Sequence, residues 1–256
     1  MRIVDLSTPH QNGGSEPYPP VIEYMDHRDG ARRLGQLAGI PPEDFPGGIA
    51  LATEKITASA HSGTHVDAPW HYGPEVAGKK ARTIDEIPLD WCYGPGVRLD
   101  FRNMEAGSSI SGDDVRRALD LIDHKLSPGE IVLIQTGADA YWMTEQYLPA
   151  QSGLSLEATA YILDQGVRCI GIDGWGLDRP VAKMAEAHRR GEPNALWPAH
   201  FHGRKQEYIQ IEKLANLDAV PETGFVVAAF PVKILGASAG WCRAVALIDE
   251  QGDDNE

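Results

Sequence analysis

Apolar and polar positions along the chain fall mostly into short strand-like runs, with few long helical stripes. Ile3-Val4-Asp5-Leu6 predicts a strand at the start. Glu54 to Ala60 alternates and predicts another. A turn at Trp91 to Pro95 leads into a strand from Gly96 to Phe101. Ile131 to Ile134 is wholly apolar, and Val167 to Asp173 is nearly so. Ile209 to Glu212 alternates, and Phe225 to Ile234 and Arg243 to Ile248 are the last strong strands. Helical spacing is confined to a few places. Gly30 to Leu37 predicts a short helix. Val115, Leu119 and Ile122 follow a capping-box pattern at Ser111 to Asp114, and Ser127-Pro-Gly ends that element. Leu156, Thr159, Ala160 and Leu163 form a stripe behind the capping Ser155, and Gly166 stops it. Ala182 to Arg190 predicts a last helix.

Thr8 to Pro20 and Ile40 to Gly48 are rich in turn formers and read as loops. Gly236 to Gly240 reads as a flexible connector. Strand-dense ends around central helices predict one α/β domain with a mixed sheet over residues 1–248. Residues 249–256 form an acidic tail that is expected to be mobile.

Composition narrows the function classes. A 256-residue chain of ordinary apolar content can bury a real core. The net charge of −14 argues against nucleic acid or an anionic membrane as partner, because both need basic patches. No apolar run is long enough to span a bilayer, and Met1 to Ser7 lacks the apolar stretch of a signal peptide, so a cytoplasmic location is expected. Cys92, Cys169 and Cys242 are odd in number and far apart, and read as reduced thiols.

The chemistry concentrates in His61-Ser-Gly-Thr-His65-Val-Asp67-Ala-Pro-Trp-His71. Gly63 and Pro69 argue against a continuous helix. In an extended chain the four odd positions share one side. A straight strand would still separate His61 from His71 by roughly 33 Å. Convergence therefore needs bends, which Gly63 and Pro69 permit. The expected picture has His65 and Asp67 as same-side neighbours on a short strand. A kink at Gly63 folds His61 back, and a turn at Pro69 brings His71 to the rim. Two imidazoles and a carboxylate at one point suit a divalent cation such as zinc or manganese, and the absence of nearby cysteine argues against a thiolate site.

The stretch resembles the His-x-Gly-Thr-His-x-Asp-x-Pro-x-His signature of the cyclase family of metal-dependent hydrolases, matching at His61, Gly63, Thr64, His65, Asp67, Pro69 and His71. That family includes bacterial kynurenine formamidases, isatin hydrolases and some aromatic polyketide cyclases. The resemblance implies a swivelling β/β/α fold, a barrel-like β core with flanking helices. It implies metal ligation by His61, His65 and Asp67, and an acid/base role for His71. It extends to His200, followed twelve residues later by Glu212, in a context matched at Leu214, Asn216, Leu217 and Asp218. In the formamidases this pair completes a two-metal site, so one or two ions are expected.

His202 competes with His200, and the spacing favours His200. His10, His27, His124 and His188 read as surface residues. Tyr18, Trp70 and Trp175 are the expected substrate contacts. Formamidases carry a serine where this chain has Gly176, and they are shorter. The insertion here between Asp173 and His200 holds Trp175, Met184 and Trp197, which suit a larger or flatter substrate than N-formylkynurenine. The expected activity is hydrolysis of a cyclic amide, lactone or formamide by metal-activated water, with His71 moving the proton. The alternatives are an aromatic polyketide cyclase using the metal as a Lewis acid, and a metal-binding scaffold without activity. No Gly-x-Ser-x-Gly elbow supports a serine nucleophile. The expected partner is a small carbonyl compound, and the chain is expected to form a homo-oligomer, a dimer or tetramer.

Overall fold

The computed structural model describes residues 1–249, so the tail expected over 249–256 lies outside the described residues apart from Asp249. Nine strands form one mixed sheet, in the order Arg2–Asp5, Val245–Ile248, Phe225–Ala228, Tyr93–Asp100, Ile131–Gln135, Cys169–Ile172, Ile209–Glu212, His65–Asp67 and Ala239–Trp241. The four strands from Tyr93–Asp100 to Ile209–Glu212 run parallel. The strands on either side join antiparallel. The sheet curls into a half-barrel with helices on its outer face.

Parallel neighbours need crossovers, and the helices supply them. Gly112–Leu121 leads from Tyr93–Asp100 toward Ile131–Gln135, and Leu156–Asp164 leads on to Cys169–Ile172. Ser111 and Asp114 close the capping box at the start of the first of these helices, satisfying end donors that the helix itself leaves free. Their apolar stripes, Val115 with Leu119 and Ala158 with Ile162, pack on Val97, Leu99, Val132, Ile134, Ile170 and Ile172. The alternate residues Ile131, Leu133, Cys169, Ile209 and Ile211 point into a second core with Val4, Leu6, Val66, Phe225 and Val227. Burial on both faces is why Ile131 to Ile134 is apolar at every position rather than alternating.

Four expectations change. The strand expected from Gly96 begins at Tyr93. A β-carbon at Gly96 would lie 2.1 Å from the Phe225 ring, so glycine there is a packing requirement within a strand and not a turn signal. The strand expected over Glu54 to Ala60 is Thr53–Thr57, which stops short of the His61 stretch and pairs with Val21–Met25 in a separate two-stranded sheet. The helix after Ser111 ends at Leu121, well before Ser127, because Asp123 takes a left-handed backbone. The expected connector contains the edge strand Ala239–Trp241, paired with His65–Asp67. Small residues there admit a close approach, since a β-carbon at Gly240 would meet the Val232 carbonyl oxygen at 2.5 Å. Among the described residues no helix is long and apolar enough to cross a membrane.

Candidate metal centre

The parallel strands point their carboxyl ends at one edge of the fold, and Glu212 is the last residue of the Ile209–Glu212 strand. The antiparallel neighbour begins there with His65. The register sets Glu212 directly opposite His65, so both side chains project from one face, while Ile211 and Val66 pair into the core behind them. Asp67, two residues along, shares the face with His65. Register alone thus brings an imidazole and two carboxylates to one buried point, 3.5 Å between His65 Nε2 and Glu212 Oε2 and 3.2 Å between His65 Nε2 and Asp67 Oδ1.

His61 reaches the same point by a local bend. Gly63 takes a left-handed φ of 56°, and a β-carbon there would lie 2.8 Å from the His10 ring, so glycine is required on both counts. The bend returns His61 Nδ1 to 2.8 Å from Asp67 Oδ1, and His61 Nε2 lies 2.9 Å from the Ser238 hydroxyl. His10, expected at the surface, is half-buried against Gly63 and the Trp241 ring, because the edge strand closes over the loop.

Pro69 starts a helical turn, Pro69–Tyr72, at the position where a proline lacks no needed donor. The turn carries His71 back so that its Nε2 lies 3.9 Å from Asp67 Oδ2, with a third of the side chain exposed. Its ring packs at 4.2 Å from that of His61 and 5.4 Å from that of His200. Trp70, expected as a substrate contact, sits on the same turn one residue before His71, is 39% exposed and is not among the residues lining the cavity that borders His71. Successive helical residues diverge by about 100° around the axis.

His200 lies in the short helix Pro198–His202 and is buried. Its Nδ1 lies 2.5 Å from Asp178 Oδ2, and its Nε2 faces Glu212 Oε1 at 3.5 Å and Asp67 Oδ2 at 3.9 Å. His202 turns to Gln206 instead. His61, Asp67 and His71 bring ligand atoms together as one group of three, and His65, Asp67 and Glu212 as another, with Asp67 common to both. His200 belongs to neither group of three, yet its Nε2 is as close to Glu212 as that of His65 is.

Electrostatics mark the point as cation-seeking. His65 Nδ1 pairs with the Gly63 carbonyl at 2.8 Å, which makes Nδ1 the protonated nitrogen and leaves a lone pair on Nε2. His65 Nε2, both Asp67 oxygens and Glu212 Oε1 are buried with no aligned hydrogen-bond partner among the described residues. Buried acceptors left unpaired are costly, and a divalent cation satisfies all of them at once. Burial raises the Glu212 carboxyl to about 8, with the Asp67 anion adding to the effect. Burial also acts to raise Asp67, but the imidazoles of His71, His65 and His61 outweigh it and hold that carboxyl well below its usual range. For His200, burial opposes the charged ring. Asp178, Glu212 and Asp67 overcome it and push the ring up to about 9. His71 goes the other way, down to about 4, through burial and the neighbouring imidazoles.

A cavity of about 530 Å³ opens beside these residues. Tyr18 and Trp175 line it, together with Met184, Trp197 and Phe201, so the aromatic and thioether side chains of the inserted segment all face it. Gly176 widens its floor. A β-carbon there would come within 3.1 Å of Glu212 Oε1. Two contributors went unread in the sequence. Ser238 sat in the supposed connector, and Asp178 carried no role because its partner lies 22 residues away.

Comparison with known proteins follows the same lines. The Cyclase family model matches residues 4–179. The kynurenine formamidase of Maricaulis maris is 30% identical over 195 residues, covering 76% of this chain and 80% of that protein. The kynurenine formamidase of Erythrobacter litoralis is 29% identical over 77% of this chain and 78% of its own length. Isatin hydrolase A from Labrenzia aggregata, in a structure with benzyl benzoate bound, shares the fold with a TM-score of 0.75 at 24% identity. The match covers 97% of this chain and 94% of that one. Isatin hydrolase A from Ralstonia solanacearum gives 0.76 at 20% identity over 97% and 92%.

Proposed function

This chain belongs to the cyclase family and is a metal-dependent hydrolase, and we propose that it hydrolyses an amide bond in a small aromatic compound. One observation carries the reading. His61, His65, Asp67, His200 and Glu212, drawn from three separate segments, meet where four buried ligand atoms lack aligned partners. A purely structural polar cluster would be expected to pair those atoms.

The donor set fits zinc or manganese, having imidazole and carboxylate but no thiolate. His61, His65 and Asp67 would hold one position. His200 and Glu212, both close to Asp67, would hold a second. A cation so held supplies Lewis acidity toward water and toward a carbonyl oxygen.

The chain's own groups do the rest. His71 is the candidate proton carrier. Held neutral at pH 7, its Nε2 can accept a proton and hand it to the leaving nitrogen. The Gly63 carbonyl fixes the tautomer of His65 and Asp178 orients the ring of His200, each occupying Nδ1 so that Nε2 faces the site. Tyr18, Trp175 and Trp197 offer flat apolar walls to a ring. The names of the curated relatives favour hydrolysis over ring closure.

The test is to strip the protein, reload it with zinc or manganese, and assay aryl formamides, isatin and simple lactones beside the Asp67→Ala variant. The expected result is metal-dependent release of acid product by the native chain, with metal and activity lost together in the variant. Full metal content and full turnover in Asp67→Ala would sink the reading.

A further inference from the structure

Lys213 follows Glu212 and is buried to 3% exposure with a left-handed φ of 59°, a conformation uncommon for any residue but glycine. Its ammonium contacts the Glu16 carboxylate, itself buried, and donates to the His61 carbonyl oxygen at 2.5 Å. The same Glu16 oxygen accepts the Gly63 N–H at 3.0 Å. The Lys213 carbonyl accepts the Thr64 hydroxyl at 2.6 Å, and its N–H donates to the Gly174 carbonyl at 3.0 Å. One residue therefore ties together three segments. They are the early loop that carries Pro17 and Tyr18 into the cavity, the His61–Thr64 bend, and the Gly174–Asp178 wall that carries Trp175.

Stability alone does not account for such a pair. Taking a lysine and a glutamate out of water costs several kcal/mol per ion, and apolar residues of like volume often serve the fold as well or better. Charge does here what apolar packing does not, because it reaches two backbone groups of the bend, the His61 carbonyl and the Gly63 N–H. These bracket the turn that aims the His61 ring at Asp67. Without the ammonium, the His61 carbonyl would lose this anchor, and the ring would be oriented by its own contacts with Ser238, Asp67 and the His71 ring.

We infer that the Glu16–Lys213 ion pair is a positioning strut that holds His61 at the metal point and fastens the Pro17–Tyr18 wall to it, so that metal affinity and the shape of the substrate cavity are set together. The inference rests on the metal site described under the proposed function.

The test is a double variant, Glu16→Gln with Lys213→Met, which keeps volume, leaves no buried charge unpaired and retains an acceptor for Gly63. It is expected to melt within a few degrees of the native chain. Its first zinc-binding step should weaken by about ten- to a hundredfold, the usual effect of losing a group that orients a ligand. Its KM for an aryl formamide should rise more than its kcat falls. Zinc affinity within twofold of native would overturn the strut while leaving the metal site intact. Failure of the native chain to bind zinc at all would overturn both.

A second measurement needs no variant. In the native protein, zinc should slow amide hydrogen exchange in residues 8–20 together with Gly63. Exchange in residues 8–20 that ignores zinc would overturn the coupling.

Discussion

Asp178 Oδ2 lies 2.5 Å from His200 Nδ1 and leaves Nε2 of the same ring facing Glu212. The carboxylate also accepts the backbone N–H of Ala199 at 2.7 Å, so it fixes both the ring and the helical turn that carries it. Replacing Asp178 with asparagine keeps an acceptor but removes the charge. The second metal-binding step should weaken by about ten- to a hundredfold while the first is unchanged. Calorimetric titration of the stripped variant with zinc checks this, and equal weakening of both steps would contradict it.

His71→Ala should keep its metal and lose about a hundredfold or more in kcat, the usual worth of a general acid–base group. Metal analysis and steady-state kinetics on the same sample separate the two effects. An unchanged kcat would reduce His71 to a wall of the cavity.

Glu212→Ala should convert two metal-binding steps into one. In the native chain Glu212 stands opposite His65 and close to His200, so its removal takes away the carboxylate that would hold a second ion with His200. A single step in both proteins would leave a mononuclear site built on His61, His65 and Asp67.

Asp173 offers a test of stability against pH. The carboxyl is fully buried, and burial outweighs the donors Thr136 and Gly137 to push it up from 3.8 to about 7. Between those values the folded chain holds a proton that the unfolded chain has released. Its contribution is therefore stabilising at the acid end and declines as pH rises from about 4 to about 7, by about 1.4 kcal/mol per pH unit, then levels off. Denaturant unfolding of native and Asp173→Asn proteins across that range should differ by this slope. Parallel curves would show Asp173 to be ionised throughout.

The sequence by itself carried the local chemistry of this protein. The His61 to His71 spacing, the Gly63 bend and the Ser111 capping box all depend on neighbours within a few residues, where side-chain period and backbone preference decide the outcome. Only the tertiary structure decided what stands across from what. The register that sets Glu212 opposite His65, the strand Ala239–Trp241 within a glycine-rich stretch, the Asp178 contact to His200 and the Lys213 contact to Glu16 all join residues distant in sequence. Trp70 illustrates the boundary. It stands one residue before His71 in the sequence, yet the helical turn begun at Pro69 leaves it 39% exposed and outside the cavity lining that His71 joins. Pairings of this kind are paid for by the whole sheet and the packing of both cores. A local stretch holds no record of which distant partner its exposed face will meet.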